Sequence, residues 1–197
     1  MMTPLRHLIP AVLALSALAA QAVPVTVQLR SPSGQPLAGA AVAIEVKGRT
    51  GKTSTAKGEI GQRDRQFTPQ VLIVQTGTAV NFPNFDTVRH HVYSFSPIKV
   101  IDIKLYSGTP SEPVVFDKPG VATLGCNIHD KMSAHVVVVD TPVFARTDDK
   151  GQATFDLPAG EHAAKAWHAG QKALTTLQRV KLDVPAAGGM IVLTLGD

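Results

Sequence analysis

The 197-residue chain has one cysteine, one tryptophan and two tyrosines, and only 5% of its residues are aromatic. A single cysteine excludes an internal disulfide, a four-cysteine zinc site and an ordinary iron–sulfur cluster. Any bound metal must therefore take most of its ligands from other residue types. Charge is also sparse, at 17% of residues with a formal net charge of +4. The basic groups are scattered, so the footprint that a nucleic-acid partner requires is missing. Beyond the N-terminus no run of 18 apolar residues offers a membrane-spanning helix. The chain also lacks a nucleophile–base pair and a substrate-pocket signature, and no enzymatic activity is expected of it.

What is present begins with an address. Met1 to Ala22 combines Arg6 and His7 with a small apolar run from Leu8 to Ala20 and ends in Ala20-Gln21-Ala22. A basic start, a short apolar stretch and a small-x-small site read as a secretory signal peptide, residues 1–22, cut after Ala22. The competing reading is an uncleaved N-terminal anchor. Removal of the segment leaves a net charge of +3 and a soluble periplasmic or secreted protein starting near Val23, with no membrane span. In such an oxidising compartment a free thiol at Cys126 is vulnerable unless it is buried or metal-bound.

The remainder reads as all-β. Sixteen glycines and fourteen prolines supply turns, and period-two alternation marks Val25 to Leu29 and Ala41 to Val46. Residues 49–58 are polar and aperiodic and read as a linker. From Glu59 to Asp140 short strands recur at Val71 to Val74, Ala79 to Phe82, His91 to Phe95, Val114 to Phe116, Val121 to Gly125 and Ala134 to Val139. After Thr141-Pro142 a second group follows at Ala153 to Asp156, His162 to Trp167, Leu177 to Val184 and Met190 to Leu195. Such spacing suggests a sandwich or Greek-key barrel. Only Ala163 to Leu177 is alanine-rich enough to compete as a helix.

The chemistry concentrates in Cys126-Asn127-Ile128-His129-Asp130-Lys131-Met132, a C-x2-H-x2-M loop between two strands. Strands can hold such a loop so that a thiolate, an imidazole and a thioether converge. Those donors suit copper: the sulfurs favour Cu(I), and the imidazole serves both oxidation states. A second imidazole would complete a trigonal set of two histidines and one cysteine with a weak axial methionine. His90 and His91, at the head of an upstream strand, are the candidates. The plainer readings are a buried structural cysteine, a surface histidine at 129 and a core methionine at 132. His135 reads as a sheet-face histidine and Trp167 as core, while His162 and His168 lack ligand spacing. Residues 97–105 read as a solvated edge, with a docking surface as the alternative.

These residues, with Val80-Asn81-Phe82-Pro83-Asn84-Phe85-Asp86 before His90-His91-Val92 and with Pro119-Gly120, resemble a cupredoxin of the plastocyanin/amicyanin type, over roughly Glu59 to Asp140. With its flanks, the chain resembles proteins labelled methylamine utilisation proteins. The resemblance implies a Greek-key sandwich holding one type 1 copper ion on His90, Cys126, His129 and Met132. Cupredoxins commonly carry His-Asn-Val at the upstream ligand; alignment to that pattern makes His90 the ligand and His91 the brace, and the departure from Asn leaves His91 open as the alternative. Asn84 and Asn127 are candidate hydrogen-bond donors to the thiolate. Such a protein would carry single electrons to or from a redox partner such as a cytochrome or dehydrogenase. Copper delivery without a redox role, or a binding scaffold with a vestigial site, are the alternatives.

The flanks resemble a second family. Ser33-Gly34-Gln35-Pro36-Leu37-Ala38-Gly39-Ala40-Ala41-Val42 and Thr147-Asp148-Asp149-Lys150-Gly151-Gln152-Ala153-Thr154-Phe155 are similar to a carboxypeptidase regulatory-like, transthyretin-type sandwich. That resemblance implies a split sandwich, residues 23–48 plus 142–197, with a cupredoxin domain at 59–141 inserted into it. Unrelated strand extensions on a cupredoxin are the competing layout.

Overall fold

The computed structural model describes residues 21–49, 51 and 53–196, so residues 1–20 of the expected signal segment lie outside it. In chain order the strands among the described residues are β1 (Ala22–Arg30), β2 (Ala41–Glu45), β3 (Lys57–Glu59), β4 (Gly61–Arg63), β5 (Gln66–Thr68), β6 (Val71–Gln75), β7 (Ala79–Asn81), β8 (His90–Ser96) and β9 (Lys99–Tyr106). They continue with β10 (Val114–Val115), β11 (Gly120–Cys126), β12 (Ser133–Val139), β13 (Phe144–Arg146), β14 (Gln152–Pro158), β15 (Gly160–Trp167), β16 (Gln178–Val184) and β17 (Gly189–Thr194). The chain is all-β, with no helix among the described residues. The alanines of 163–177 do not form one: β15 pairs with β2 on one side and β16 on the other, which satisfies its backbone in a sheet. Lys57 and Gly58, at the end of the expected linker, belong to β3 and pair in parallel with β7.

Four larger sheets stack through three apolar layers. A three-stranded sheet, β14-β1-β17, faces a four-stranded one, β13-β2-β15-β16. Val25, Val27, Leu29, Val42, Ile44, Phe155, Leu157 and Leu182 fill the space between them. A five-stranded sheet, β6-β12-β11-β8-β9, and the smaller β10-β7-β3 sheet enclose a second core containing Phe67, Phe82, Val92, Phe116, Val136 and Val138. The third layer joins the halves: Ala41 and Ala43 of β2 meet Val121, Val137 and Val139, with Trp167 among them. Strands β2 and β12, inside the two middle sheets, are thus covered on both faces. That explains why β12 reads Val136-Val137-Val138-Val139 and β2 Ala41-Val42-Ala43-Ile44 rather than apolar alternating with polar.

Where one face meets water, alternation is clean. In β14, Ala153, Phe155 and Leu157 point inward, while Thr154 and Asp156 are exposed. In β8, His90, Val92, Ser94 and Ser96 are buried, whereas His91, Tyr93 and Phe95 face outward. Because the side-chain period is two, the burial of Val92 dictates that His90 points in and His91 out. A register irregularity against β9 falls between His90 and Val92, at the end of the strand nearest the cysteine loop. Residues 97–105, read as a solvated edge, supply most of β9, the edge strand of the five-stranded sheet.

Candidate metal centre

Strand β11 ends at Cys126, and β12 begins at Ser133. The loop between them is closed by its own backbone: the Met132 amide donates to the His129 carbonyl at 2.9 Å, and the Cys126 amide to the Met132 carbonyl at 3.2 Å. This closure aims Cys126 and His129 at one point. Cys126 Sγ lies 3.7 Å from His129 Nδ1 and 3.8 Å from His90 Nδ1, and these three donors all lie within 4.8 Å of one another. The His90 and His129 rings are 5.0 Å apart. His90 is fully buried and Cys126 nearly so, whereas His129 is half-buried and adjoins the exposed Ile128. Met132 is 2% exposed and shares the buried cluster of Cys126.

The residues fit a metal on the chemistry and spacing of their donors. A first-row ion bonded to thiolate sulfur at roughly 2.3 Å and to imidazole nitrogen at roughly 2.0 Å in a trigonal plane separates sulfur from nitrogen by about 3.7 Å. The two observed sulfur–nitrogen separations, 3.7 and 3.8 Å, match this. One thiolate, two imidazoles and a nearby thioether favour copper over the hard cations, which prefer oxygen.

The remaining residues singled out by sequence lie elsewhere. His91 Nε2 is 2.7 Å from Asp102 Oδ1 on the outer face of the sheet, and Lys104 lies 2.6 Å from the other oxygen of that carboxylate. The Lys104 ammonium first, then His91, hold the Asp102 carboxyl below its ordinary range. Asn84, expected to donate to the thiolate, instead gives its amide hydrogens to the carbonyls of Val88 and Tyr106, at 2.9 and 3.0 Å. Its Oδ1 accepts from the Asp86 amide at 2.9 Å. Asn127 is exposed on the loop. His135 packs its ring 4.8 Å from that of Trp167, outside the donor cluster. Behind the site, Gln62 Nε2 donates to the Tyr106 hydroxyl, which donates to the Phe82 carbonyl at 2.6 Å. Burial pushes the Tyr106 phenol up to about 12.

One contact at the site has no signature in the residue pattern. Asp86 Oδ2 lies 2.8 Å from His90 Nε2, the ring nitrogen that faces away from Cys126. Burial opposes ionisation of this carboxyl, but the Arg65 amide, the His90 ring and the Asp64 amide outweigh it and lower its pKa. An aspartate four residues before a histidine is common in turns, and only the fold brings the Asp64–Arg65 turn up to meet it.

No protein-family model matches the chain, and no curated protein matches it in sequence. Among solved structures, the chain is similar to amicyanin from Paracoccus versutus, at 15% identity over 49% of this chain and 97% of that one, with a TM-score of 0.39. It is similar to a purple cupredoxin from Nitrosopumilus maritimus at 24% identity, over 43% and 99% of the two chains, with a TM-score of 0.36. It also matches a copper-containing nitrite reductase from Thermus scotoductus at 20% identity, over 51% of this chain and 26% of that one, with a TM-score of 0.40. Each likeness extends over about half of the chain described here.

Proposed function

We propose that the protein is an exported type 1 copper protein that carries single electrons between redox partners. The observation that carries this reading is the convergence of Cys126 Sγ with the Nδ1 atoms of His90 and His129 at 3.7 and 3.8 Å. Bound copper would supply a one-electron couple between +1 and +2. Cys126 would bind as thiolate, His90 and His129 through Nδ1, and Met132 through its thioether. The strands that carry His90 and Cys126 are paired directly, Cys126 opposite Val92, which would limit movement of the donors between oxidation states. His129, half-buried beside exposed Ile128, offers the electron its exit toward a partner such as a cytochrome or dehydrogenase.

The same reading makes 23–48 plus 142–197 one sandwich of the carboxypeptidase regulatory-like kind, with the copper-bearing stretch 59–141 inserted. Pairing of β1 with both β14 and β17 supports it. So does the closeness of the two junctions: Lys165 of β15 bridges Glu45, near the end of the first host segment, and Asp140, at the end of the insert, at 2.8 and 3.2 Å. Among the described residues no helix is long and apolar enough to cross a membrane; export to the periplasm or beyond rests on the N-terminal segment.

Titration of the purified metal-free protein with Cu(II) tests the function. An intense visible thiolate-to-copper band, abolished in Cys126→Ala, is the expected result. A colourless protein that takes up zinc as readily as copper would overturn the proposal. A normal band combined with rapid Cu(I) exchange would point to copper delivery instead.

A further inference from the structure

His90 is held from both ends. Its Nδ1 faces Cys126 Sγ at 3.8 Å, and its Nε2 faces Asp86 Oδ2 at 2.8 Å, with the ring fully buried between them. An ionised carboxylate has only acceptors to offer, so the imidazole must donate at Nε2. In a neutral ring that leaves Nδ1 with a bare lone pair, pointed at the thiol.

Asp86 is itself fixed by a second piece of chain. The β4–β5 hairpin turns on Asp64 and Arg65, which have φ of 54° and 58°. Two consecutive left-handed residues define the tight turn that suits a two-residue hairpin, normally a place for Asn or Gly. In this turn both amides point at one carboxylate: Asp64 N–H donates to Asp86 Oδ1 at 2.7 Å, and Arg65 N–H donates to Oδ2 at 3.0 Å. Asn84 Oδ1 holds the Asp86 amide from behind, and the Arg63 guanidinium lies 5.1 Å above the Phe85 ring, docking the hairpin on this segment. The Asp86 side chain retains 13% exposure, so the carboxylate bridges a surface turn and a wholly buried ring.

We infer that Asp86 is a positioning residue for His90: it locks the imidazole in the Nε2–H tautomer, so that Nδ1 is ready for a metal before one arrives, and it strengthens that nitrogen as a donor once a metal is bound. The redox consequence rests on the copper reading above, whereas the tautomer does not. A carboxylate on the outer nitrogen of a ligating histidine orients the ring and raises its basicity. Added donor strength favours the more highly charged ion, so it holds Cu(II) more than Cu(I) and keeps the reduction potential low.

The test begins without metal. Imidazole ¹⁵N spectra of the metal-free protein, recorded at about pH 8, above the ordinary imidazole pKa, should report His90 protonated at Nε2 and bare at Nδ1. Asp86→Asn should lose that fixed preference, and Asp86→Glu, which keeps the charge, should restore it at least in part. With copper, Asp86→Asn should lose about 10- to 100-fold in Cu(II) affinity. Each tenfold loss confined to Cu(II) raises the potential by about 59 mV for a one-electron couple. A purely structural role for Asp86 would lower stability yet leave tautomer and potential unchanged. The inference is overturned if wild-type His90 carries its proton on Nδ1, or if Asp86→Asn keeps the wild-type tautomer, affinity and potential. Should Asp86→Asn fail to fold, the wild-type spectrum and the Asp86→Glu protein decide. If the tautomer is as expected but no thiolate-to-copper band forms, the copper reading fails and the role of Asp86 in fixing the ring stands.

Discussion

Replacing His90 with alanine removes an imidazole whose Nδ1 lies 3.8 Å from Cys126 Sγ, whereas replacing His91 removes one paired with Asp102 on the outer face of the sheet. The two variants should therefore behave oppositely. His90→Ala should abolish the visible copper band. His91→Ala should keep it and leave stability almost unchanged, because Asp102 is half-exposed and such pairs are weak; absorption spectra and denaturant midpoints check both. The sequence favoured His90 only through the likeness to His-Asn-Val and kept His91 as the alternative, since a His-His pair carries no sign of which way the pleat turns. Val92 shows which ring faces inward: once its burial is known, the period of two assigns the rest. A second residue-scale expectation concerns His135, whose imidazole is pushed below its ordinary pKa by burial against Trp167. A depressed histidine contributes stability that is present above the unfolded pKa, about 6.5, and is lost as pH falls through the folded value. Denaturant midpoints should fall on acidification below about pH 6.5, with a smaller fall in His135→Gln.

At the scale of elements, the strands that alternate or run as pure valine and alanine were legible, and so was the cysteine loop between β11 and β12. Those missed had mixed patterns for identifiable reasons. β9 carries Lys99, Asp102 and Lys104 because it is an edge, and β4 and β5 are three residues each, too short for any period to register. Asp86 was illegible because its partners lie on that short hairpin. Turn chemistry, by contrast, was visible at Asp148-Asp149-Lys150-Gly151, where Asp148 Oδ1 accepts the amides of Lys150 and Gln152 at 2.9 and 2.8 Å. Gly151 closes that turn with a φ of 71°, and a Cβ there would lie 2.6 Å from the Leu29 carbonyl oxygen and 2.9 Å from the Leu37 amide nitrogen. Both obstacles are backbone and cannot swing away. Gly151→Ala should destabilise the fold by at least about 2 kcal/mol, from left-handed strain and overpacking together. A loss below about 0.5 kcal/mol in urea unfolding, within the range of an ordinary surface change, would contradict this account.

For the whole molecule, sequence patterns predicted sheets but not their order of stacking, because a strand covered on two sides looks the same whatever covers it. Trp167 sits in the layer between the halves, fully buried, with Nε1 donating to the Leu174 carbonyl at 2.9 Å. Its removal opens a cavity beside Val121, Val137 and Val139. Trp167→Ala should cost about 3–5 kcal/mol and should loosen one half from the other; circular dichroism and copper absorption, followed together during heating, should coincide in the wild type and separate in the variant.

The pairing of β1 also sets an order of assembly. Thr26 meets Thr154 across a gap of 128 residues, and on its other side β1 waits for β17. The first strand to emerge is thus among the last to find its neighbours. Strands β6 to β12, with the cysteine loop, need none of β14 to β17 to complete their own ladder. Since closing distant contacts is the slow part of folding, the cysteine should be enclosed while the outer sandwich is still open.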